Sequence, residues 1–217
     1  MRWTAATRQQ HPPRDGGSIR KFFAAAPLAA APCAAFSNEN NLSYTYLEAG
    51  YVGSRYDLHT GVFDPATGTF TQTVDRKTAD GWTVRGAVAI APNFHLFGGY
   101  STQSFPSDDP EQWKLGVGYN HEINTKVDLL TRVAYDRHGT DFASYNGWSV
   151  EAGARAALTP RIEGLALAGY QDFSGVDGAF YGRVGAQVKF NSLWGISGEV
   201  KFVRGDAEYF IGPRISF

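Results

Sequence analysis

The stretch that decides the fold is residues 194–217, which read WGISGEVKFVRGDAEYFIGPRISF. Up to position 202, every second residue is apolar or glycine, whereas Glu199 and Lys201 share the opposite parity. A period of two is typical of a β-strand with one apolar face. After a short polar break at 204–206, the alternation resumes and continues to the terminal Phe217. The stretch therefore predicts a β-hairpin.

The terminal aromatic side chain extends this prediction to the whole chain. Phe217 belongs to the apolar parity of its strand. The closing strand of an outer-membrane barrel commonly ends in this way, and such barrels turn their apolar faces toward lipid. We therefore predict an all-β fold, a ten-stranded antiparallel transmembrane β-barrel.

Composition agrees with a barrel wall and excludes other classes. Aromatic residues make up 14% of the 217 residues, 25 are glycine, and charged residues are only 19%, where about 25% is usual for a soluble domain. Cys33 is the single cysteine, so no intramolecular disulfide can form. No apolar run is long enough for a spanning helix, and nothing indicates nucleic-acid binding.

The N-terminal part of the chain predicts a leader. A basic pair at 20–21 precedes an apolar run, small residues and then a polar segment, which is the pattern of a secretory signal peptide. Cleavage is expected near Ala35 or Ser37. We therefore divide the chain into a polar extension plus cleavable signal peptide, 1–37, and a ten-stranded outer-membrane β-barrel, 38–217.

The two-residue period recurs ten times after the leader. Breaks after even-numbered strands are short, and most breaks after odd-numbered strands are longer and polar. This asymmetry is typical of short periplasmic turns and longer extracellular loops. The predicted strands are 42–53, 80–91, 94–100, 113–119, 127–136, 148–155, 162–173, 183–190, 194–202 and 209–217.

The first loop, 54–79, has a pattern of its own. It contains the turn signal DPATG at 64–68, flanked by Thr, Val and aromatic residues. We predict that the first two strands continue beyond the membrane as a hairpin with its tip at 65–68. A disordered loop is the alternative.

Alternation alone does not say which face is inside. A soluble lipocalin-like barrel would place the apolar set inward. Charged residues, however, avoid the apolar parity over membrane-spanning lengths, as a lipid-facing surface requires. Trp82, Trp113, Trp148 and Trp194 begin predicted strands, where an aromatic girdle would lie, and Phe217 fits a barrel-assembly signal. We therefore predict the inverted arrangement, with charges inward.

The inward parity carries a charged network. It contains nearly balanced numbers of basic and acidic residues, and a barrel of about this size is filled by side chains. We expect a salt-bridged interior with at most a narrow water path. The basic members are Arg85, Lys114, Arg132, Arg155, Arg183, Lys189, Lys201 and Arg214, and the acidic members are Glu48, Asp128, Asp136, Glu151, Glu163 and Glu199.

No catalytic, metal or cofactor site is predicted. An omptin-type protease would need its Asp and His pairs on strands, whereas Asp108, Asp109 and His138, with Asp136 or Asp141, are expected in loops. A lipid A deacylase would need a His-x-Ser, which the sequence lacks.

Two shorter motifs have plain structural readings. His121–Glu122 lacks the second histidine of a zinc helix and is expected in a turn, and the other histidines, among them His59, His95 and His138, are too scattered for a metal cluster. The tripeptide at 204–206 spells an adhesion motif, but glycine is also what a hairpin bend needs.

Six strings carry a resemblance to a known family. They are NLSYTYLEAGYV, APNFHLFGGYS, QWKLGVGYNHEI, SVEAGAR, YGRVGAQVKFN and FIGPRISF. Together they resemble a family of small outer-membrane proteins of xanthomonad-type bacteria, associated with diffusible-signal-factor regulation and once discussed as a plant-immunity elicitor and quorum-sensing factor. The resemblance implies an outer-membrane barrel that also leaves cells in vesicles, and it supplies no catalytic residues. The longer first loop departs from the family.

We therefore expect a protein of the Gram-negative outer membrane, structural or narrow and porin-like, and not an enzyme. Its expected partners are outer-membrane lipid and the barrel-assembly machinery, with small solutes or ions as candidates, no nucleic acid and no cofactor, and the chain is expected to be a monomer. The alternatives are an adhesin or recognition protein acting through the first-loop hairpin, and a surface hydrolase.

Overall fold

The computed structural model describes residues 42–104, 109–140 and 144–217, with the backbone alone at 57–60, 62, 64 and 71–75. The predicted leader and its cleavage positions Ala35 and Ser37 lie outside the described residues. Ten strands pair antiparallel in sequence order, and β1 closes against β10 to complete a barrel. The strands are β1 Tyr46–Asp64, β2 Thr69–Ala91, β3 Phe94–Ser104, β4 Glu111–Asn124, β5 Val127–Gly139, β6 Ser144–Ala157, β7 Ile162–Phe173, β8 Val176–Lys189, β9 Trp194–Val203 and β10 Asp206–Ser216.

The two faces of the wall have opposite chemistry. On β5, Val133 is 54% exposed and faces outward, while its neighbour Arg132 is only 8% exposed. Leu115 on β4 and Ile211 on β10 are likewise exposed, and Arg155 on β6 is buried. An apolar outside around an ionic inside is the arrangement of a transmembrane barrel. The prediction of this fold is confirmed, and the soluble lipocalin-like alternative is wrong. Within the described part of the chain, no helix is long and apolar enough to span a membrane.

The wall closes between β1 and β10 around two facing glycines. A Cβ added to Gly50 would lie 2.6 Å from the Cα of Gly212, and one added to Gly212 would lie 2.8 Å from the Cα of Gly50. Neighbouring Pro213 has no N–H to give to the ladder, and no residue pair is registered here between Glu48↔Arg214 and Tyr51↔Ile211. The glycines allow the two backbones to approach closely at this interruption.

The connections differ between the two ends of the barrel. At the periplasmic end, short turns at 92–93, 125–126, 158–161 and 190–193 join the strands. At the extracellular end, the strands run further than predicted: β3 continues to Ser104 and β8 begins at Val176. The predicted loop bounds there are wrong because both faces of a strand are polar outside the membrane, and the alternation that marks a strand then disappears.

The β1–β2 hairpin projects beyond the rest of the barrel. β1 pairs with β10 only as far as Arg55↔Ala207, and β2 pairs with β3 only from Asp80↔Ser104. Beyond these pairs, the described backbones of the two strands form ladder pairs only with each other up to Asp64↔Thr69, a ribbon of about 30 Å at ~3.3 Å per residue. Gly68, with φ 63°, completes the turn at 65–68. The predicted extended hairpin is confirmed.

Candidate functional site

An ionic chain crosses the lumen. Nε of Arg85 on β2 lies 2.7 Å from Oε1 of Glu48 on β1, and its Nη1 lies 2.9 Å from Oε1 of Glu199 on β9. Because β2 and β9 are not neighbours in the wall, the second contact runs through the interior. Nη1 of Arg183 on β8 lies 3.3 Å from the same oxygen of Glu199. Glu199 on β9 therefore links β2 to β8 and β9 through the lumen.

The chain continues to the other side of the barrel through Glu151 on β6. Its Oε2 lies 3.5 Å from Nε of Arg183 and accepts a hydrogen bond of 3.0 Å from the hydroxyl of Tyr181. Its Oε1 lies 3.6 Å from Nη1 of Arg132. Arg132 Nε donates to Nε2 of His95 at 3.4 Å, which makes the imidazole an acceptor. The contacts thus span β1, β2, β3, β5, β6, β8 and β9.

Each arginine of the lumen also packs against an aromatic ring of the inner face. Such cation–π contacts stabilise a desolvated cation, and they fill the space between the charged pairs. The distances from the guanidinium carbon to the ring centroid are 3.9 Å for Arg85 and Phe210, 5.0 Å for Arg132 and Phe97, 4.9 Å for Arg155 and Tyr44, 5.9 Å for Arg183 and Tyr181, and 3.5 Å for Arg214 and Tyr46.

Two predicted lysines lie toward the extracellular end of the lumen. Nζ of Lys114 lies 3.0 Å from Oδ1 of Asp136 and donates to Oγ of Ser149 at 3.3 Å. Ser149 in turn donates to Oδ2 of Asp136 at 2.7 Å. Lys201 donates to Oε1 of Gln171 at 2.7 Å. These contacts hold β4, β5 and β6 together, and β7 to β9.

A second ionic group lies toward the periplasmic end. Arg155 donates to Oε2 of Glu163 through Nε at 3.0 Å and through Nη2 at 2.5 Å. Lys189 forms an ion pair with the other oxygen of Glu163. Asp128 is fully buried and accepts a hydrogen bond of 2.8 Å from the hydroxyl of Tyr44. The predicted inward residues of both ends therefore lie on the inner face, in contact with partners.

Residues 42–45, which we call the plug segment, enter the periplasmic end of the lumen. The prediction placed them in the first strand, but β1 begins only at Tyr46. Leu42 is fully buried and Tyr44 is 3% exposed. The Tyr44 ring stacks on His95 at 4.9 Å, and Arg155 Nη1 donates to the carbonyl of Ser43 at 2.8 Å. The boundary was wrong because these apolar side chains are buried by the lumen, not by a strand pairing.

Apolar side chains of the wall surround the plug segment. Ala89, Leu130 and Leu167 are buried against Leu42 and Tyr44. Leu167 shares the parity of the inward Glu163, which made β7 the least regular strand in the sequence. A dry contact of this kind stabilises the segment and excludes water from the periplasmic mouth. The plug segment therefore fills part of the lumen at this end.

Cavities remain between the side chains of the described part of the barrel, and two of them bear on function. The first, of about 140 Å³, lies among the charged side chains and is lined by Arg85, Arg155, Gln187 and Arg214, among others. The second, of about 340 Å³, lies at the extracellular end beside Tyr56, His138, Lys201 and Glu208. Neither cavity approaches the width of the 16- to 18-stranded barrels that hold an aqueous channel.

The predicted girdle tryptophans lie on the outer face. Trp113 and Trp194 are near the beginning of their strands, but Trp82 lies within the long β2 and Trp148 within β6, because both strands begin earlier than predicted. All four side chains are exposed. Trp82, Trp113 and Trp148 lie toward the extracellular end, where Tyr100 packs between the first two at centroid distances of 5.4 and 4.5 Å. Their role at the lipid interface stays a prediction.

The terminal Phe217 follows the last residue of β10. Its ring is 58% exposed, its N–H donates to the carbonyl of Thr45 at 2.9 Å, and its carbonyl accepts a bond of 2.7 Å from Oγ of Ser43. The described ends of the barrel are thus bonded to each other. The role of Phe217 as a barrel-assembly signal stays a prediction.

The acidic residues and the histidine that a protease site would need do not form such a site among the described residues. Asp136 is buried beside Lys114, and the ring of His138 packs edge-on to Phe173 at 4.6 Å. Both lie in β5, so the expectation of a loop position is wrong for His138, and the prediction of Asp136 as an inward residue of the strand 127–136 is confirmed. Asp108 and Asp141 lie outside the described residues.

The remaining motifs also have structural settings. His121 and Glu122 belong to β4 and not to a turn, and His121 faces outward against Tyr119. No group of three metal-ligating side chains occurs among the described residues. Arg204 and Gly205 have φ of 51° and 97°, as a tight hairpin turn requires. The guanidinium of Arg204 donates to the carbonyls of residues 177 and 178.

No family model matches the sequence, and no curated protein matches it. Among solved structures, the KdgM porin in complex with disordered oligogalacturonate is 14% identical, with 79% of this chain and 99% of that chain covered and a TM-score of 0.43. Ail, the attachment invasion locus protein of Yersinia pestis, is 11% identical, with 80% and 97% covered and a TM-score of 0.36. Neisserial surface protein A is 17% identical, with 81% and 98% covered and a TM-score of 0.35. Similarity at this level carries no argument about function.

Proposed function

We propose that this chain is a non-enzymatic outer-membrane β-barrel with a closed lumen, which acts through its extracellular surface. The observation that carries the proposal is the filling of the interior. The ionic chain links β2 to β8 and β9 through the lumen by way of Glu199, and the plug segment buries Leu42 and Tyr44 in the periplasmic mouth. A diffusion pore needs a continuous water path, which these contacts oppose.

The permeability of the purified barrel tests this proposal. In planar lipid bilayers, the wild-type protein is expected to give at most small, brief current steps, and liposomes that contain it should not swell in sugar solutions. Long-lived, porin-sized steps in wild type would overturn the closed lumen. The membrane assignment itself is tested by fractionation of Gram-negative cells and by a gel shift on boiling, and recovery in released vesicles belongs to the same proposal.

A matched pair of tyrosine variants tests the plug segment. Tyr44→Ser removes the hydrogen bond to Asp128 and the stacking on His95, so the periplasmic mouth should loosen and ion permeation should rise. Tyr119→Ser removes a ring from the same end but on the outer face, where Tyr119 packs against Phe94 at 5.1 Å. Permeation in this control should equal that of wild type. Equal permeation in all three proteins would contradict a sealing role for Tyr44.

A recognition role of the β1–β2 ribbon is the second candidate, and the aromatic tip favours it. Phe63 and Phe70 face each other in register next to the turn, and both side chains are mostly exposed, at 60% and 66%. Exposed aromatic residues are frequent anchors of binding surfaces. Deletion of 63–70, or the double variant Phe63→Ser and Phe70→Ser, should abolish cell attachment or partner binding while the barrel stays heat-modifiable.

Kinship with the diffusible-signal-factor-regulated family stays part of the proposal, supported by the strings that span residues 41–52 to 210–217. The distinguishing feature of this chain is the long ribbon. If the ribbon carries the function, its transfer to a related barrel with a short first loop should transfer attachment as well. Failure of that transfer would favour the purely structural role.

A further inference from the structure

The guanidinium of Arg214 has no close carboxylate partner among the described residues. Arg214 on β10 is 9% exposed, and its guanidinium carbon lies 3.5 Å from the centroid of the Tyr46 ring. Its Nη1 is 3.8 Å from Oε2 of Glu48, which is the only ion pair it makes among the described residues. Its Nε and Nη2 are buried and have no hydrogen-bond partner among the described residues.

Glu48 is only a distant partner of Arg214, and both of its oxygens have closer contacts with other groups. Oε1 lies 2.7 Å from Nε of Arg85, and Oε2 accepts a hydrogen bond of 2.7 Å from Oγ of Ser197. Arg85, Arg155 and Arg183, by contrast, each have a carboxylate oxygen within 3.3 Å. Two unbonded donors on a buried guanidinium are costly, so the site calls for an acceptor that the described side chains do not supply.

A second cation faces the same space. Arg155 lines the same cavity as Arg214. The nearest carboxylate of Arg155, Glu163, is shared with Lys189. The cavity lining as a whole carries more basic than acidic side chains.

The cavity beside these arginines is large enough for a small ligand and too small for a large one. It offers about 140 Å³ to solvent, where one water molecule needs about 10–15 Å³ on the same measure. A compact anion with a few water molecules fits this space, whereas an oligosaccharide chain does not. Gln187 also lines the cavity, and its side chain is 5% exposed.

From these observations we propose that the lumen contains a binding site for one compact anion, of halide or small carboxylate size, held by Nε and Nη2 of Arg214 and facing Arg155. The anion supplies the acceptor that Nε and Nη2 of Arg214 lack and adds a negative charge to a cavity lined by several cations. The site is independent of whether the barrel conducts, since it requires only that small ions exchange with the cavity.

Chloride binding in solution tests the proposal. The folded barrel in a neutral detergent is titrated into sodium chloride, and the ³⁵Cl line width is followed. Wild type should broaden the line saturably, and bromide and acetate should compete. Arg214→Gln should weaken binding at least tenfold, whereas Arg161→Gln, which removes an equal charge from an exposed turn outside the cavity, should bind like wild type. No saturable broadening in wild type, or undiminished binding in Arg214→Gln, would overturn the site.

Crystallography with bromide keeps the test decisive if Arg214→Gln does not fold. Crystals of the wild-type protein grown or soaked in sodium bromide should show an anomalous peak within hydrogen-bond distance of Nε and Nη2 of Arg214. Arg214→Lys retains the charge and should retain a weaker peak. A map with peaks only at exposed cations, or with none, would exclude the lumenal site, and a conductance result of either sign would leave this conclusion unchanged.

Discussion

Replacing Glu199 with Gln removes the carboxylate at the centre of the ionic chain, and the structure sets the size of the effect. Its Oε1 lies 2.9 Å from Arg85 and 3.3 Å from Arg183, and its side chain is 15% exposed. Removing one partner of a buried ion pair costs about 3–5 kcal/mol. Because Arg85 keeps Glu48 at 2.7 Å and Arg183 keeps Glu151 at 3.5 Å, we expect the lower end, about 3 kcal/mol.

Reversible guanidinium unfolding in lipid vesicles measures this loss. The control Asp177→Asn removes a carboxylate from an exposed position at the start of β8 and should change the free energy of unfolding by less than about 0.5 kcal/mol. The double variant Glu199→Gln with Arg85→Gln should cost less than the sum of the single variants, since each removes the other's partner. If Glu199→Gln were as stable as the control, or if the two costs were additive, the ionic chain would not be a source of stability.

Two further predictions concern the wall itself. Gly212→Ala places a Cβ against the backbone of β1 where the barrel closes and should destabilise the barrel by about 1–3 kcal/mol. The control Gly182→Ala, where a Cβ meets no atom within 4 Å, should be near neutral. Equal unfolding midpoints for the two variants would refute the close approach of β1 and β10 at Gly212. Val133→Arg puts a charge on the lipid-facing surface and should cost about 2–4 kcal/mol, whereas Ser174→Arg, in an exposed turn, should fold into vesicles like wild type. A harmless Val133→Arg would contradict the inverted arrangement.

The alternation of side chains was sufficient to predict the fold because a strand has only two faces. Arg132 and Val133 are neighbours in sequence, so once charge is assigned to the inside, the next residue must face lipid. The same rule predicted the inner position of Glu199 and Lys201 without any knowledge of their partners. The repetition of this pattern over ten segments gave the strand number.

The partners themselves could not be read from the sequence. Arg85 contacts Glu199 across the lumen, although their strands are not neighbours in the wall. The order of the strands does not indicate which side chains meet across the interior. Inner aromatic residues such as Phe97 and Phe210 alternate in step with the charged residues of their strands. This shared face was the sequence signal for their contacts with arginines. Leu42 fitted the pattern of a membrane strand, although it lies in the plug segment. An apolar side chain can be buried inside the lumen or against lipid, and the sequence does not distinguish the two.

The plug segment also restricts the order in which the barrel can assemble. Residues 42–45 are continuous with β1, yet they contact His95 on β3, Asp128 on β5 and Arg155 on β6. If the barrel closed without these residues, they would have to insert later through its periplasmic end. The simplest route is that β3 to β6 pair first as an open sheet and the plug segment then binds to its inner face. β1 pairs with β10 afterwards, so that the periplasmic end is filled and the barrel is closed in the same step.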